Sequence, residues 1–127
     1  MTDLEKNCGL YIISPPQFEL KVFSSQLIEA FTAARDIPYF EDRFVFQLRL
    51  KDMAEQDMML LGRDIRKICS DYEVPFIMND SLALAEKLHA DGLHIGPNEG
   101  GHEAEKVAEV RKKFGKKMLG VSCKGSY

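Results

Sequence analysis

The stretch Phe44-Val-Phe-Gln-Leu-Arg-Leu-Lys51 begins as a compact apolar run and ends in alternating cationic side chains. A short apolar run of this kind predicts a buried strand over Phe44–Leu48. Four similar runs predict further strands, at Leu10–Ile13, Val74–Met78, Leu93–Ile95 and Met118–Val121. Near-continuous apolar strands are typical of a parallel sheet that is covered by helices.

Segments with a helical period separate the predicted strands. After the first strand, Phe23, Leu27 and Phe31 recur at steps of four and place one apolar face on a helix. After the second strand, Asp52 and Glu55 have the spacing of a capping box, which predicts that a helix opens there. The predicted helices are Val22–Arg35, a segment from Asp52 to Tyr72, Ser81–Ala90, and Glu103–Phe114 with Gly115 as its stop.

The resulting order, β-α-β-α-β-α-β-α-β, indicates an α/β protein with a parallel sheet. It predicts either an open, doubly wound sheet or part of a barrel, since both connect parallel strands through right-handed helical crossovers. The first turn, Ser14-Pro-Pro-Gln-Phe18, has no glycine-rich fingerprint, which argues against a dinucleotide-binding sheet.

Polar side chains stand at or after the ends of several predicted strands. They are Gln47, Arg49, Lys51, Asn79, Asp80, Glu99 and Ser122. Because the carboxyl ends of parallel strands lie on one side of a sheet, these residues should converge on one rim, where α/β folds hold their ligands. Amide, cationic, carboxylate and hydroxyl groups together predict a phosphorylated ligand that is held partly through a metal ion.

Composition narrows the class of protein. The chain has 127 residues, enough for one domain, and its net charge of −3 argues against a nucleic-acid surface. Three cysteines without CxxC spacing predict reduced thiols and no disulfide framework. No apolar stretch approaches the ~20 residues that a membrane-spanning helix needs. We therefore expect a cytoplasmic protein with no nucleic-acid or membrane partner.

Four blocks of sequence, taken in order, resemble the thiamine phosphate synthase family. That family carries a QLR-x-K, a PFI-x-ND, an ADG-x-H-x-G and a GVS block. The corresponding segments here are Gln47–Lys51, Pro75–Asp80, Ala90–Gly96 and Gly120–Ser122. Leu10–Ile13 is also similar to the family's opening strand, so the resemblance runs from about Leu10 to Ser122.

The resemblance implies a parallel (β/α)8 TIM-barrel fold, of which this chain would be the N-terminal part. Residues 1–127 would form a single domain with about the first five β-α units, the remaining strands being absent. A sheet that does not close has two open edges, so a homo-oligomer that pairs through them is one expectation. Poor activity of the chain by itself is another.

The resemblance also implies a reaction. The substrates would be hydroxymethylpyrimidine diphosphate and thiazole phosphate, and the pyrimidinylmethyl group would pass to the thiazole with release of pyrophosphate. Such a transferase of thiamine biosynthesis would use Mg²⁺ as its cofactor. A divalent ion and fixed cationic groups stabilise the negative charge that develops on the leaving pyrophosphate.

Site roles follow from the same resemblance. Asp80 would be one metal ligand, and Glu99 would be the second at a position where the family has aspartate. Ser122 would lie near the pyrophosphate and, with Lys51, would serve catalysis. The residues implied to bind substrate are Gln47, Arg49, Lys51, Asn79 and Ser122.

The sequence is compatible with two other functions. One is a relative similar to the thiazole tautomerase, which would need neither a diphosphate site nor a metal. The other is a non-catalytic half-barrel that binds a phosphorylated ligand or a partner. Two residues are given structural roles instead, His94 as a hydrogen-bonded core residue of the fourth strand and Cys69 as an inert thiol on an apolar helix face.

Overall fold

Five strands alternate with four helices in the part of the chain that the structure describes. The structure, a computed structural model, describes residues 8–38, 43–96 and 103–122. The strands are β1 (Leu10–Ile13), β2 (Phe44–Leu48), β3 (Phe76–Asn79), β4 (Gly92–Ile95) and β5 (Met118–Val121). The helices are α1 (Leu20–Arg35), α2 (Glu55–Asp71), α3 (Leu82–Lys87) and α4 (Glu103–Phe114).

The strands form one sheet in the order β1-β2-β3-β4-β5, and every adjacent pair is parallel. A doubly wound sheet reverses its strand order at a switch point, whereas a barrel adds each strand beside the previous one. The sequential order therefore decides between the two predicted architectures in favour of the barrel type. The expected α/β fold with five parallel strands is confirmed, and it forms a half-barrel.

All four helices pack against the same face of this sheet. Alternate strand residues such as Phe46, Phe76 and Leu93 are fully buried beneath them. The helices contribute Leu27, Phe31, Ala34, Ile65, Cys69, Leu84, Ala85, Val110 and Phe114 to the same core cluster. Within the described ranges, no helix combines the length and the apolar character required to cross a lipid bilayer.

The opposite face of the sheet corresponds to a barrel interior. The strand register places Tyr11, Val45 and Ile77 on this inner face, with Gln47, Asn79 and His94 nearer the carboxyl ends of the strands. The inner face is apolar in its lower part and polar at the rim. The polar side chains of the inner face therefore lie together at the carboxyl end of the sheet.

Most element bounds agree with the sequence prediction, and the predicted capping box is wrong. Helix α2 begins at Glu55 after Ala54, which has no side-chain capping bond. Asp52 lies three residues before Glu55 and adopts a φ of 56°. Its carboxylate therefore does not cap the helix. Gly115 has a φ of 64° directly after α4, which confirms it as the predicted stop.

Strand β3 ends one residue later than predicted, and this shift bears on the site. Asn79 is the last strand residue, so its amide side chain is held in the sheet rather than in a loop. Ser81 accepts a hydrogen bond from the backbone N–H of Leu84 and caps α3. Because Ser81 caps the helix, the carboxylate of Asp80 is not used as a cap and can form contacts at the rim of the sheet.

Candidate active site at the strand rim

A cavity of about 390 Å³ lies at the carboxyl ends of the strands. Its lining includes six of the seven predicted site residues, which come from the ends of β2, β3 and β5 or from the loops after them. The residues around it are Tyr11, Ile13, Gln47, Arg49, Lys51, Asn79, Asp80, His94, Gly96 and Ser122. The seventh, Glu99, lies outside the described residues. The predicted convergence on one rim is what the structure shows for the other six.

A larger groove of about 850 Å³ lies on the outer surface between α2 and α3. The ion pair between Lys87 and Glu55, 3.5 Å apart, lies along it. Two neighbouring helices and Ala54 line this groove, and none of the described strands contributes a residue to it. The rim cavity is the better candidate site, because polar groups from several strands meet there.

Lys51 lines the rim cavity and is held there by several hydrogen bonds. Its Nζ donates hydrogen bonds to Asn79 Oδ1 and to Asp80 Oδ2, each at 2.9 Å. Its backbone N–H donates to the carbonyl oxygen of Pro16 at 3.0 Å, which fixes the chain after β2. The ammonium group therefore joins the ends of β2 and β3 from a fixed backbone position.

Asp80 adopts a backbone conformation that is unusual for a residue other than glycine. Its φ is 64°, in the left-handed region, and its N–H donates to the carbonyl oxygen of His94 at 2.8 Å. Such strained positions occur most often at functional sites. Gly96 N–H donates to Asp80 Oδ1 at 2.6 Å, and a Cβ atom at position 96 would lie 2.6 Å from the same oxygen. The carboxylate needs glycine at position 96.

The environment of the Asp80 carboxyl keeps it ionised at neutral pH. Partial burial acts to raise its pKa. The hydrogen bonds from Lys51 and Gly96 act in the opposite direction, and the positive charges of Lys51 and Lys106 add to them. The pKa therefore lies below its usual value of 3.8. An ionised carboxylate in a partly desolvated position is suited to a cationic partner.

Two buried amide side chains continue the network inward. Asn79 Nδ2 donates to Gln47 Oε1 at 2.9 Å, and Gln47 Nε2 donates to the Tyr11 hydroxyl at 3.0 Å. Gln47 is 2% exposed and Asn79 is 7% exposed, so each depends on these partners in place of water. The network gives both amides a defined orientation.

Arg49 extends the site toward solvent. Its backbone N–H donates to Ser14 Oγ at 2.9 Å, and the Ser14 hydroxyl lies 3.4 Å from the Arg49 carbonyl oxygen. Ser14 itself is buried. These contacts hold the backbone between β1 and β2, while the Arg49 side chain is exposed beside the cavity.

His94 and Ser122 connect the last two strands at the rim. His94 Nε2 lies 2.8 Å from Ser122 Oγ, and Ser122 N–H donates to the carbonyl oxygen of Ile95 at 2.9 Å. A Cβ atom on Gly120 would lie 2.6 Å from His94 Nδ1, so glycine at position 120 makes room for the ring. His94 is hydrogen-bonded as predicted, but it is only half-buried and lines the cavity.

Asp80 is the one carboxylate that lines the cavity among the described residues. In residues 8–38, 43–96 and 103–122, no group of three or more histidine, cysteine, aspartate or glutamate side chains could hold a metal ion. Mg²⁺ is commonly bound by one or two carboxylates together with phosphate oxygens of the ligand. The ionised Asp80 carboxylate, next to the Asn79 amide oxygen, fits a site of that kind, which the ligand itself completes.

Comparison with known proteins now identifies the family. Residues 10–127 match the family model described as thiamine monophosphate synthase, TMP-TENI. The chain belongs to this family. Thiamine-phosphate synthase of Erythrobacter litoralis is 32% identical over 127 residues, which cover 99% of this chain and 54% of that protein. The Pelagibacter ubique protein of the same name is 38% identical over 81 residues, or 64% of this chain and 37% of that protein.

A solved structure shares the fold of this family member. Thiamine phosphate pyrophosphorylase from Pyrococcus furiosus superposes with a TM-score of 0.63 at 19% identity. The match covers 94% of this chain and 52% of the other. The chain thus spans about half the length of this protein and of the Erythrobacter litoralis relative, and the half-barrel matches the corresponding part of the Pyrococcus furiosus structure.

Sequence reasoning missed three residues of the site, namely Tyr11, Ser14 and His94. Tyr11 and His94 stand within apolar runs, where a polar group is readily taken for part of the core. The alternation of strand residues offered a signal, since His94 pairs with Asn79 across adjacent parallel strands and so shares its face. The roles of the six predicted residues in binding or catalysis stay predictions.

Proposed function

We propose that this chain acts in thiamine biosynthesis as a transferase that forms thiamine phosphate. The pyrimidinylmethyl group of hydroxymethylpyrimidine diphosphate would pass to thiazole phosphate, and pyrophosphate would leave. Membership in the thiamine monophosphate synthase family supports this proposal. The observation that carries it is the contact of Lys51 with both Asn79 and Asp80 inside the rim cavity, beside Arg49.

The two cationic side chains suit the diphosphate. Arg49 is exposed at the cavity, where its planar guanidinium group can donate two parallel hydrogen bonds to phosphate oxygens. Lys51 supplies a compact positive charge from a fixed position. As the carbon–oxygen bond breaks, negative charge grows on the leaving pyrophosphate. Donors that are already in place then stabilise the transition state more than the ground state.

Asp80 would hold Mg²⁺ together with oxygens of the diphosphate, and Glu99 remains the proposed second ligand. When bound, the metal would neutralise part of the charge on the departing pyrophosphate. The low pKa of Asp80 supports this role, because an ionised carboxylate is the form that binds a hard cation. Gly96 N–H keeps the carboxylate oriented toward the cavity.

The amides of Gln47 and Asn79 would orient the pyrimidine. Both are buried, and both are held by hydrogen bonds before any ligand arrives. A preorganised amide loses little entropy on binding, so it can discriminate between ligands. Ser122, fixed by His94 at 2.8 Å, would contact the leaving pyrophosphate from the opposite side of the cavity.

The contacts of Lys51 also favour the synthase over the tautomerase-like alternative. Moving a double bond within a thiazole requires no diphosphate and no divalent metal. A rim that holds Lys51, Arg49 and an ionised Asp80 in one cavity is organised for a highly charged ligand. A non-catalytic half-barrel would share this binding site but would not require a fixed Ser122.

The test combines binding with turnover. The chain is titrated with inorganic pyrophosphate in the presence of Mg²⁺, and heat is measured. In parallel, a chimera in which this chain replaces the matching half of the Erythrobacter litoralis relative is assayed for thiamine phosphate with both substrates. We expect Mg²⁺-dependent binding and turnover. If the folded chain did not bind pyrophosphate and the folded chimera formed no thiamine phosphate, the proposed function would be wrong.

A further inference from the structure

Four side chains form a continuous line of hydrogen bonds across three strands. Lys51 Nζ donates to Asn79 Oδ1 at 2.9 Å, Asn79 Nδ2 donates to Gln47 Oε1 at 2.9 Å, and Gln47 Nε2 lies 3.0 Å from the Tyr11 hydroxyl. The line starts at the mouth of the cavity and ends on β1. The sequence pattern places Tyr11 in the first strand and gives it no role in the site.

The line has one direction, and the ammonium group of Lys51 sets it. An ammonium group can only donate, so the atom of Asn79 that faces Lys51 must be the oxygen. The Asn79 nitrogen then faces Gln47 and donates to the Gln47 oxygen. The Gln47 nitrogen in turn donates to Tyr11. The usual ambiguity between oxygen and nitrogen in an amide is therefore resolved by chemistry.

The Tyr11 hydroxyl stands at the end of the line and accepts its last bond. A phenol that accepts through its oxygen still has its own hydrogen to donate. Among the described residues, the Tyr11 hydroxyl donates no hydrogen bond, and its one side-chain bond is the one that it accepts from Gln47. Tyr11 lines the cavity and is 49% exposed. Its hydrogen is thus available to a ligand in the cavity.

The register of the strands places the backbone of Tyr11 below the cationic residues. Tyr11 pairs with Val45, whereas Ile13 pairs with Gln47, so Tyr11 starts two residues below the rim. Lys51 and Asp80 follow the ends of β2 and β3, at the mouth. A diphosphate bound at the mouth would leave the space beside Tyr11 and Gln47 for the organic part of the ligand.

We propose that the Tyr11 hydroxyl binds the substrate by donating a hydrogen bond to a ring nitrogen of the pyrimidine. This inference rests on the proposed function. The ring nitrogens of an aminopyrimidine are hydrogen-bond acceptors. The Tyr11 hydroxyl, which Gln47 holds in place, is the complementary donor. Because Gln47 donates to the phenol oxygen, the O–H hydrogen of Tyr11 points away from Gln47 and can be donated to an acceptor in the ring.

The experiment measures binding of three stable probes to the chain and to Tyr11→Phe. The probes are inorganic pyrophosphate with Mg²⁺, hydroxymethylpyrimidine with Mg²⁺ and pyrophosphate present, and the benzene analogue of that pyrimidine under the same conditions. Tyr72→Phe is the matched control, because it removes a phenol hydroxyl that lies 3.1 Å from Thr32 Oγ1 of α1. Tyr72 follows α2 and does not line the rim cavity. Calorimetry gives the affinity for each probe.

We expect the unmodified chain to bind the pyrimidine about tenfold more tightly than its benzene analogue, as one net hydrogen bond allows. Tyr11→Phe should lose that preference and keep its affinity for pyrophosphate within about twofold. Tyr72→Phe should behave like the unmodified chain in all three titrations.

Other outcomes overturn the proposal, and they are distinguishable. Equal weakening of the pyrimidine and the benzene analogue would show that Tyr11 only positions Gln47. An unchanged preference in Tyr11→Phe would show that the hydroxyl does not contact the ring. Failure of the unmodified chain to bind pyrophosphate would overturn the proposed function itself and this inference with it.

Discussion

Lys51 Nζ lies 2.9 Å from Asp80 Oδ2, so the rim cavity contains an ion pair between residues that follow adjacent strands. The two side chains are 35% and 43% exposed. A pair with this much access to water contributes little to stability, typically below about 1 kcal/mol. The pair serves chiefly to hold a cation and an anion at known positions in the cavity.

Asp80→Asn tests the role of the carboxylate. Asparagine preserves the shape of the side chain and removes its charge, so Mg²⁺-dependent affinity for pyrophosphate should fall at least about tenfold. The free energy of unfolding should change by less than about 1 kcal/mol. Calorimetry and urea denaturation measure the two quantities.

Asp71→Asn is the control for this variant. Asp71 forms an ion pair with Lys67 at 3.2 Å on α2, away from the rim cavity. It loses the same charge, and pyrophosphate binding should be unchanged. If Asp71→Asn weakened binding as much as Asp80→Asn, a general effect of net charge would explain both, and the metal role of Asp80 would be lost.

The pKa of Asp80 predicts how its contribution to stability depends on pH. The pKa is lower in the folded protein than the usual value of 3.8, which applies to the unfolded chain. The carboxylate therefore stabilises the fold above about pH 4, and this contribution is lost as the pH falls through the folded pKa. The difference in unfolding free energy between the unmodified chain and Asp80→Asn should be constant from about pH 7 to pH 5 and shrink below about pH 4. A difference that grew on acidification would contradict the assignment.

Gly96→Ala tests the support of the carboxylate. The added Cβ would lie 2.6 Å from Asp80 Oδ1, so the carboxylate must move away from its position. We expect Mg²⁺-dependent pyrophosphate affinity to fall about tenfold, since small displacements of a catalytic or binding group are costly. Gly115→Ala is the control. Nothing lies near its Cβ but its φ is 64°, so it should lose about 1 kcal/mol of stability and retain binding.

Cys69 should be unreactive in the folded protein. Burial raises the pKa of its thiol to about 12 and outweighs the charge of Arg66, so the thiol stays protonated at pH 8. Cys8 is exposed. A thiol reagent followed by peptide mass spectrometry should modify Cys8 within minutes and Cys69 only after denaturation. Equal rates at the two positions would contradict the buried placement of Cys69.

Phe46 is a central residue of the core beneath the helices. It is fully buried, and its ring centroid lies 6.2 Å from those of Phe23 and Phe76. Phe46→Ala should lower the free energy of unfolding by about 3–5 kcal/mol in urea denaturation. Leu60→Ala, at a position that is 60% exposed, should change it by less than about 0.5 kcal/mol. A small effect at Phe46 would show that the core lies elsewhere.

The bounds of β1, β2, β5 and α4 could be predicted because their signals are local. An apolar run with polar ends, or a helical period with a glycine stop, needs no knowledge of distant residues. The capping box failed for the opposite reason. Gln17 Nε2 lies 3.3 Å from the carbonyl oxygens of both Lys51 and Asp52, so a residue 35 positions away restrains this turn. The spacing of neighbouring residues in the sequence cannot predict that contact.

The sequence alone determined the α/β class, the alternation of strands and helices, and the set of polar residues at the strand ends. The resemblance implied the barrel type, whereas only the tertiary structure showed that the strands run in sequential order and that one directed network joins Tyr11, Gln47, Asn79 and Lys51. The physical reason is the separation along the sequence of the residues that interact. Periodicity reports which face of each element is apolar, whereas strand order and side-chain pairing depend on hydrogen bonds between residues 28 to 36 positions apart.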